Sequence, residues 1–172
     1  IEGTLDLSSS TMLEVICLNR IFRYLPHDPN DGETPRAEIE ADPRQVEILS
    51  TQLGFNDRTK GVTTPGERAK SNDEGVPLPS DQVTPFRSAV MRASFLSEDR
   101  PEIKYASKEA ARFMALPTSV GEVLIKRLGR FLHGYPRSIQ KMVLQPTPRD
   151  ARVYSDSDHC GCLRTRKSTS CS

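Results

Sequence analysis

Three successive segments between residues 84 and 134 each open on a helix-start signal and then carry an apolar stripe at helical spacing. Thr84-Pro85 pairs a capping hydroxyl with a proline pre-set for the first helical position, and Phe86, Ala89, Val90, Ala93 and Leu96 follow on one face. Asp99-Arg100-Pro101-Glu102 opens the second, with Ile103, Ala106, Ala110, Phe113 and Met114 turned inward. Thr118 or Ser119 opens the third. Ser119-x-x-Glu122 matches a capping box, and Val120, Leu124, Leu128, Phe131 and Leu132 line its buried side. Gly134-Tyr135-Pro136 ends it. The pattern predicts a helical subdomain.

The N-terminal third reads differently. Residues 1–11 are polar. Met12 to Leu25 is a strand candidate through Val15, Ile16, Leu18, Ile21, Phe22 and Tyr24. The turn formers of His27 to Pro35 follow, and Ala37 to Ala41 suits a short return strand, which predicts a β-hairpin with a long tip. Asp42-Pro43 is a further cap-plus-proline start. Val46, Leu49 and Leu53 share a face there, and Gly54 closes that helix. Asn56 to Val83 is polar and rich in Gly and Pro, which suits an exposed linker. Met142–Leu144 and Arg152–Ser155 are later strand candidates. The fold class expected is α+β.

Composition separates the two ends. Residues 1–100 hold 11 Lys and Arg against 17 Asp and Glu, whereas residues 101–172 hold 13 against 6. A basic C-terminal part suits a phosphate backbone, and equally a solvated basic face. Hydrophobic residues make up 35% and mean hydropathy is −0.52, low for a free-standing globule. The chain opens on Ile1 rather than Met, which fits a piece of a longer reading frame packed against more protein. No signal peptide and no apolar run of about 20 residues is present, so no membrane partner is expected. The four cysteines, Cys17, Cys160, Cys162 and Cys171, are expected as free thiols in a reduced intracellular compartment, cytoplasm or nucleus.

Several segments, in order, resemble the C-terminal half of copia-type LTR retrotransposon reverse transcriptase. Leu18-Asn19-Arg20-Ile21 and Ile39-Glu40-Ala41-Asp42-Pro43-Arg44 look like the hairpin that ends the palm. Val46 to Gly54 is similar to the helix after it, and Lys60 to Gly66 to a Lys-Gly-Val-x-Thr-Pro-Gly turn. Phe86-Arg87-Ser88 through Leu96, Asp99-Arg100-Pro101-Glu102-Ile103 and Lys126-Arg127-Leu128-Gly129-Arg130-Phe131-Leu132 resemble three further signatures. Val153-Tyr154-Ser155-Asp156-Ser157-Asp158, followed by Thr165-Arg166-Lys167-Ser168-Thr169-Ser170, resembles the opening of the adjoining ribonuclease H domain. The family's Trp-Ala is His159-Cys160 here, and its last Gly is Cys171. The resemblance spans residues 13–172. It implies the end of a palm (1–55), a flexible linker (56–83), a thumb- and connection-like helical region (84–150) and the first strands of a truncated ribonuclease H-like αβ domain (151–172).

For the intact protein the resemblance implies RNA-directed DNA synthesis and Mg²⁺-dependent cleavage of RNA in hybrids. The family's Tyr/Phe-x-Asp-Asp polymerase motif does not occur in this sequence. Asp156 is the ribonuclease H-type metal carboxylate that the resemblance implies, with Asp158 as the fallback. Two-metal hydrolysis needs several carboxylates around cations about 4 Å apart, and the remaining ones would lie beyond Ser172, so no catalysis is expected of these 172 residues alone. Outside the resemblance, Asp156 and Asp158 read as a turn pair capping a loop. Lys126, Arg127, Arg130, Arg137, Arg164, Arg166 and Lys167 are candidates for the backbone of an RNA–DNA hybrid or another nucleic acid. The rest of the pol polyprotein is the other expected partner. Tyr135 could stack on a base, whereas Phe131 reads as core. His159, Cys160, Cys162 and Cys171 number enough for zinc, but the Cys-x-Cys gap is tighter than zinc sites use. A different class of reading is a decayed or domesticated helical interaction module with no nucleic-acid role.

Overall fold

A computed structural model describes residues 13–26, 34–67 and 75–144, and the backbone of 157–158 and 169–170. The architecture is α+β: a four-stranded antiparallel sheet beside four helices, plus a short two-stranded pair.

The expected strand over 12–25 is in fact two strands. β1 (Leu13–Cys17) turns back through Leu18 and Asn19 into β2 (Arg20–Leu25), pairing Val15 with Phe22 and Cys17 with Arg20. Both turn residues have positive φ, 50° and 62°, the pattern of a two-residue hairpin turn. Asn tolerates that backbone and Leu does not favour it, so the sequence carries no strong turn signal here. The expected hairpin forms next, between β2 and β3 (Arg36–Glu40), with Phe22 opposite Ile39. Most of its tip lies outside the described residues. β4 (Ile139–Val143) returns from beyond the helices to pair with β3, Ala37 opposite Met142, and the sheet order is β1-β2-β3-β4.

α1 (Pro43–Gln52) starts as expected. The Asp42 carboxylate accepts the Arg44 N–H at 3.0 Å, Pro43 takes the first turn, and Gly54 follows the end at φ 73°. α2 (Ser80–Ser97) begins four residues before the expected Thr84. Pro85 therefore sits inside the helix, where it removes only the bond to the Asp81 carbonyl near the start. A 3-10 turn (Pro101–Ile103) leads into α3 (Lys104–Ala111), and α4 (Ser119–Gly134) completes the set. The expected capping box on α4 does not form. The Ser119 hydroxyl instead accepts the Val76 N–H at 3.1 Å, the Ser119 N–H donates to the Val76 carbonyl, and Thr118 bridges Pro77. The Glu122 carboxylate turns to Lys126.

α1 packs on α2 and α4, and α2, α3 and α4 pack on one another. Their core holds Leu49, Val90, Ala93, Leu96, Ile103, Ala110, Ile125, Leu128 and Leu132, each 1% exposed or less. The sheet reaches the helices through polar ties. Arg20 donates to the Asp99 carboxylate at 2.8 Å and lies over the Phe95 ring, and Gln140 donates to the Asp99 carbonyl at 2.6 Å. Arg100, 1% exposed, pairs with Glu102 at 2.8 Å. Among the described residues, no helix is long and apolar enough to cross a membrane.

β5 (Ser157–Asp158) and β6 (Thr169–Ser170) form a separate antiparallel pair, Asp158 opposite Thr169. The strand candidate over Arg152–Ser155 lies outside the described residues.

Candidate functional site

Residues 60–67, part of the expected linker, form a strap along α4. Where strap and helix cross, two glycines meet: a Cβ added at Gly61 would lie 2.8 Å from the Gly134 Cα, so neither backbone could approach if a side chain stood there. Further along, a Cβ at Gly66 would lie 3.2 Å from the Ala106 Cβ. Val62 packs against the core between them.

Two of the candidate nucleic-acid residues hold this strap. Arg130 donates through Nε to the Lys60 carbonyl at 3.0 Å. Arg127 donates to the Thr64 hydroxyl at 2.8 Å and pairs with the Glu67 carboxylate at 2.8 Å. Its Nε is buried and has no hydrogen-bond partner among the described residues. Lys126 stands beside Arg127 on the helix and pairs with Glu122 at 2.6 Å across one turn. The structure thus brings Lys126, Arg127 and Arg130 together on α4 and sets each against an acceptor of the chain itself.

Arg137 is elsewhere. It follows α4 and binds Glu40 of β3 with two donors, at 2.5 and 2.9 Å. Arg23 reaches the same carboxylate at 2.8 Å and also Glu14 at 2.7 Å. The hydrogen bond from Arg137 holds the Glu40 carboxyl below its ordinary range, with Arg23 adding to this and burial opposing it. The same contacts raise both guanidiniums: Glu40 acts on Arg137, and Glu40 with Glu14 on Arg23. This cluster is a structural clamp on the sheet, and Arg137 is one of its jaws.

Phe131 is core, as expected, and Tyr135 lies half-exposed with its ring 5.2 Å from that of Phe131. Asp156, Arg164, Arg166 and Lys167, with His159, Cys160, Cys162 and Cys171, lie outside the described residues, and Asp158 is described in its backbone alone. Cys17 is an exposed free thiol. Among the described residues no group of three or more His, Cys, Asp and Glu side chains gathers to hold a metal ion.

Sequence reasoning missed Glu67 and Thr64 as partners of the basic residues, and Glu122 as the partner of Lys126. Only the last carried a signal, its i,i+4 spacing. The strap contacts join residues 60 or more positions apart, which no local pattern encodes.

The chain is similar to an uncharacterized mitochondrial protein of Arabidopsis thaliana, with 34% identity over 99 residues. The match covers 54% of this chain and 37% of that protein, so the chain corresponds to well under half of its relative's length. No family model matches, and no solved structure matches.

Proposed function

We propose that this chain is a segment of a copia-type retrotransposon pol polyprotein, running from the end of the reverse transcriptase into the start of ribonuclease H. Its own contribution is to hold the backbone of an RNA–DNA template-primer. The observation that carries the reading is the ordered run of motif-like segments from Leu18 to Ser170. Supporting it, the segments from Leu18 to Leu132 coincide with successive elements of one fold: the β1–β2 turn, the β3–α1 junction, the strap, α2, the α2–α3 turn and α4. The seat proposed for phosphate is the α4 trio Lys126, Arg127 and Arg130, together with Arg164, Arg166 and Lys167. Such contacts would be independent of base sequence and steeply weakened by salt.

The test is a titration of a labelled RNA–DNA hybrid at two salt concentrations. Charge reversal at Arg127 and Arg130 would also cut the strap from α4, so Lys126→Ala is the cleaner variant, since its side chain is half-exposed and paired within its own helix. Binding by the wild type that falls on the order of tenfold or more from 50 to 200 mM salt is expected, together with weaker binding by Lys126→Ala. Absence of binding at low salt contradicts the reading and leaves the interaction-module alternative. Mg²⁺-dependent cleavage of the hybrid by the 172-residue chain, lost in Asp156→Asn, would contradict a purely binding role.

A further inference from the structure

We infer that Glu67 is a built-in competitor for phosphate at Arg127, so that a phosphodiester enters this site by displacing a carboxylate of the chain itself. The inference rests on the nucleic-acid reading above and specifies where on α4 the phosphate sits.

A guanidinium matches a carboxylate and a phosphate with the same planar fork of donors. In Arg127 one terminal nitrogen is given to Glu67 and the other to Thr64, while the buried Nε–H has no partner among the described residues. The cation is therefore fixed by the strap, and because its Nε–H is buried, the donors left for a phosphate are the second hydrogens of its two terminal nitrogens. Its counter-ion is loose: the Glu67 side chain is 57% exposed, against 26% for Arg127. Exchange of ligands moves the carboxylate and leaves the arginine in place. An exposed pair of this kind is weak and screened by salt, so the barrier it sets is small but real. The Thr64 hydroxyl accepts from Arg127 and keeps its own proton to donate to a phosphate oxygen. Lys126 is balanced by Glu122 within the helix, and Arg130 adds one positive charge that Glu67 and Glu122 together do not balance.

The experiment compares the full chain with Glu67→Gln and Thr64→Val, using a labelled RNA–DNA hybrid at low and moderate salt. Gln keeps an acceptor for Arg127 and removes only the charge. Thr64→Val removes a neutral strap contact and leaves the charge. The expected result is threefold to tenfold tighter binding by Glu67→Gln, an advantage that shrinks as salt rises, and equal or weaker binding by Thr64→Val. If the wild type binds in a salt-sensitive way and Glu67→Gln binds no better, the competition is overturned while the nucleic-acid reading stands. If Thr64→Val also binds tighter, the gain comes from a loosened strap, and the competition is overturned. If neither the wild type nor Glu67→Gln binds at low salt, the nucleic-acid reading itself fails.

Discussion

Among the described residues, the apolar core consists of fourteen buried side chains, and all of them come from the helices and the 3-10 turn before α3. In the sheet the most buried side chains are instead two glutamates, Glu38 and Glu40, while Val15, Phe22 and Met142 remain well exposed. In the register, Val15 opposes Phe22 and Ala37 opposes Met142, which puts these residues on one face of the sheet. Glu14, Arg23, Glu38 and Lys141 lie on the other face. The helices are thus held chiefly by excluded water, and the sheet by its backbone hydrogen bonds together with ion pairs gathered on one face. Hydrophobic burial is insensitive to moderate acid, whereas a buried carboxylate clamp is not. The two regions should therefore respond to different perturbations, and that contrast is open to test.

The largest effect is expected at Leu128, which is fully buried at the centre of α4. Leu128→Ala should lower stability by about 2–5 kcal/mol, read as an earlier chemical-denaturation midpoint. Next is the clamp. Glu40→Ala removes the shared acceptor of Arg23 and Arg137 and should lower stability by about 2–3 kcal/mol, less than for a fully enclosed pair because Arg137 remains largely solvated.

The pH response follows from the same group. The folded Glu40 carboxyl titrates below its ordinary value of 4.5, so its contribution is complete above that pH and is lost as pH falls further, through the folded-state value. Melting temperature followed from neutral pH down to about 3 should drop more steeply for the wild type than for Glu40→Gln. Parallel curves would remove the clamp from the account.

Gly129→Ala should be milder. The new Cβ would stand 2.3 Å from the Leu53 Cδ1 and 2.9 Å from the Phe55 ring, so overpacking outweighs the gain in helix propensity. A net loss of about 1–2 kcal/mol is expected in thermal unfolding. The smallest effect has the opposite sign. Leu18→Asn places a residue that tolerates positive φ in the β1–β2 turn and should raise stability by about 0.5–1 kcal/mol. A loss there would mean that the exposed Leu18 side chain makes a contact that its 79% exposure does not suggest.

Local signals carried the helices well. Asp42-Pro43 and Gly54 bracket α1 as expected, and most of the expected apolar stripes of α2, α3 and α4 are core, although on α4 Ile125 is buried while Val120 and Leu124 are only partly so. The errors arose where a distant segment took over a local group. Ser119 suits a capping box by spacing, but Val76 claims its hydroxyl. Lys60 to Glu67 has the composition of a solvated linker, yet Gly61 and Gly66 are the small residues that let it lie against α4 and α3. The β1–β2 turn was invisible because leucine is not a turn former. The basic residues of α4 were legible as a cluster from their spacing alone, but their acceptors were not, because partner choice is set by tertiary packing.

Reading the nucleotide sequence on both sides of this frame tests the central claim most directly. The account predicts a Tyr/Phe-x-Asp-Asp motif upstream of residue 1 and further ribonuclease H-type carboxylates downstream of Ser172, whether the frame is intact or interrupted. Flanking sequence that encodes neither in any frame would contradict it.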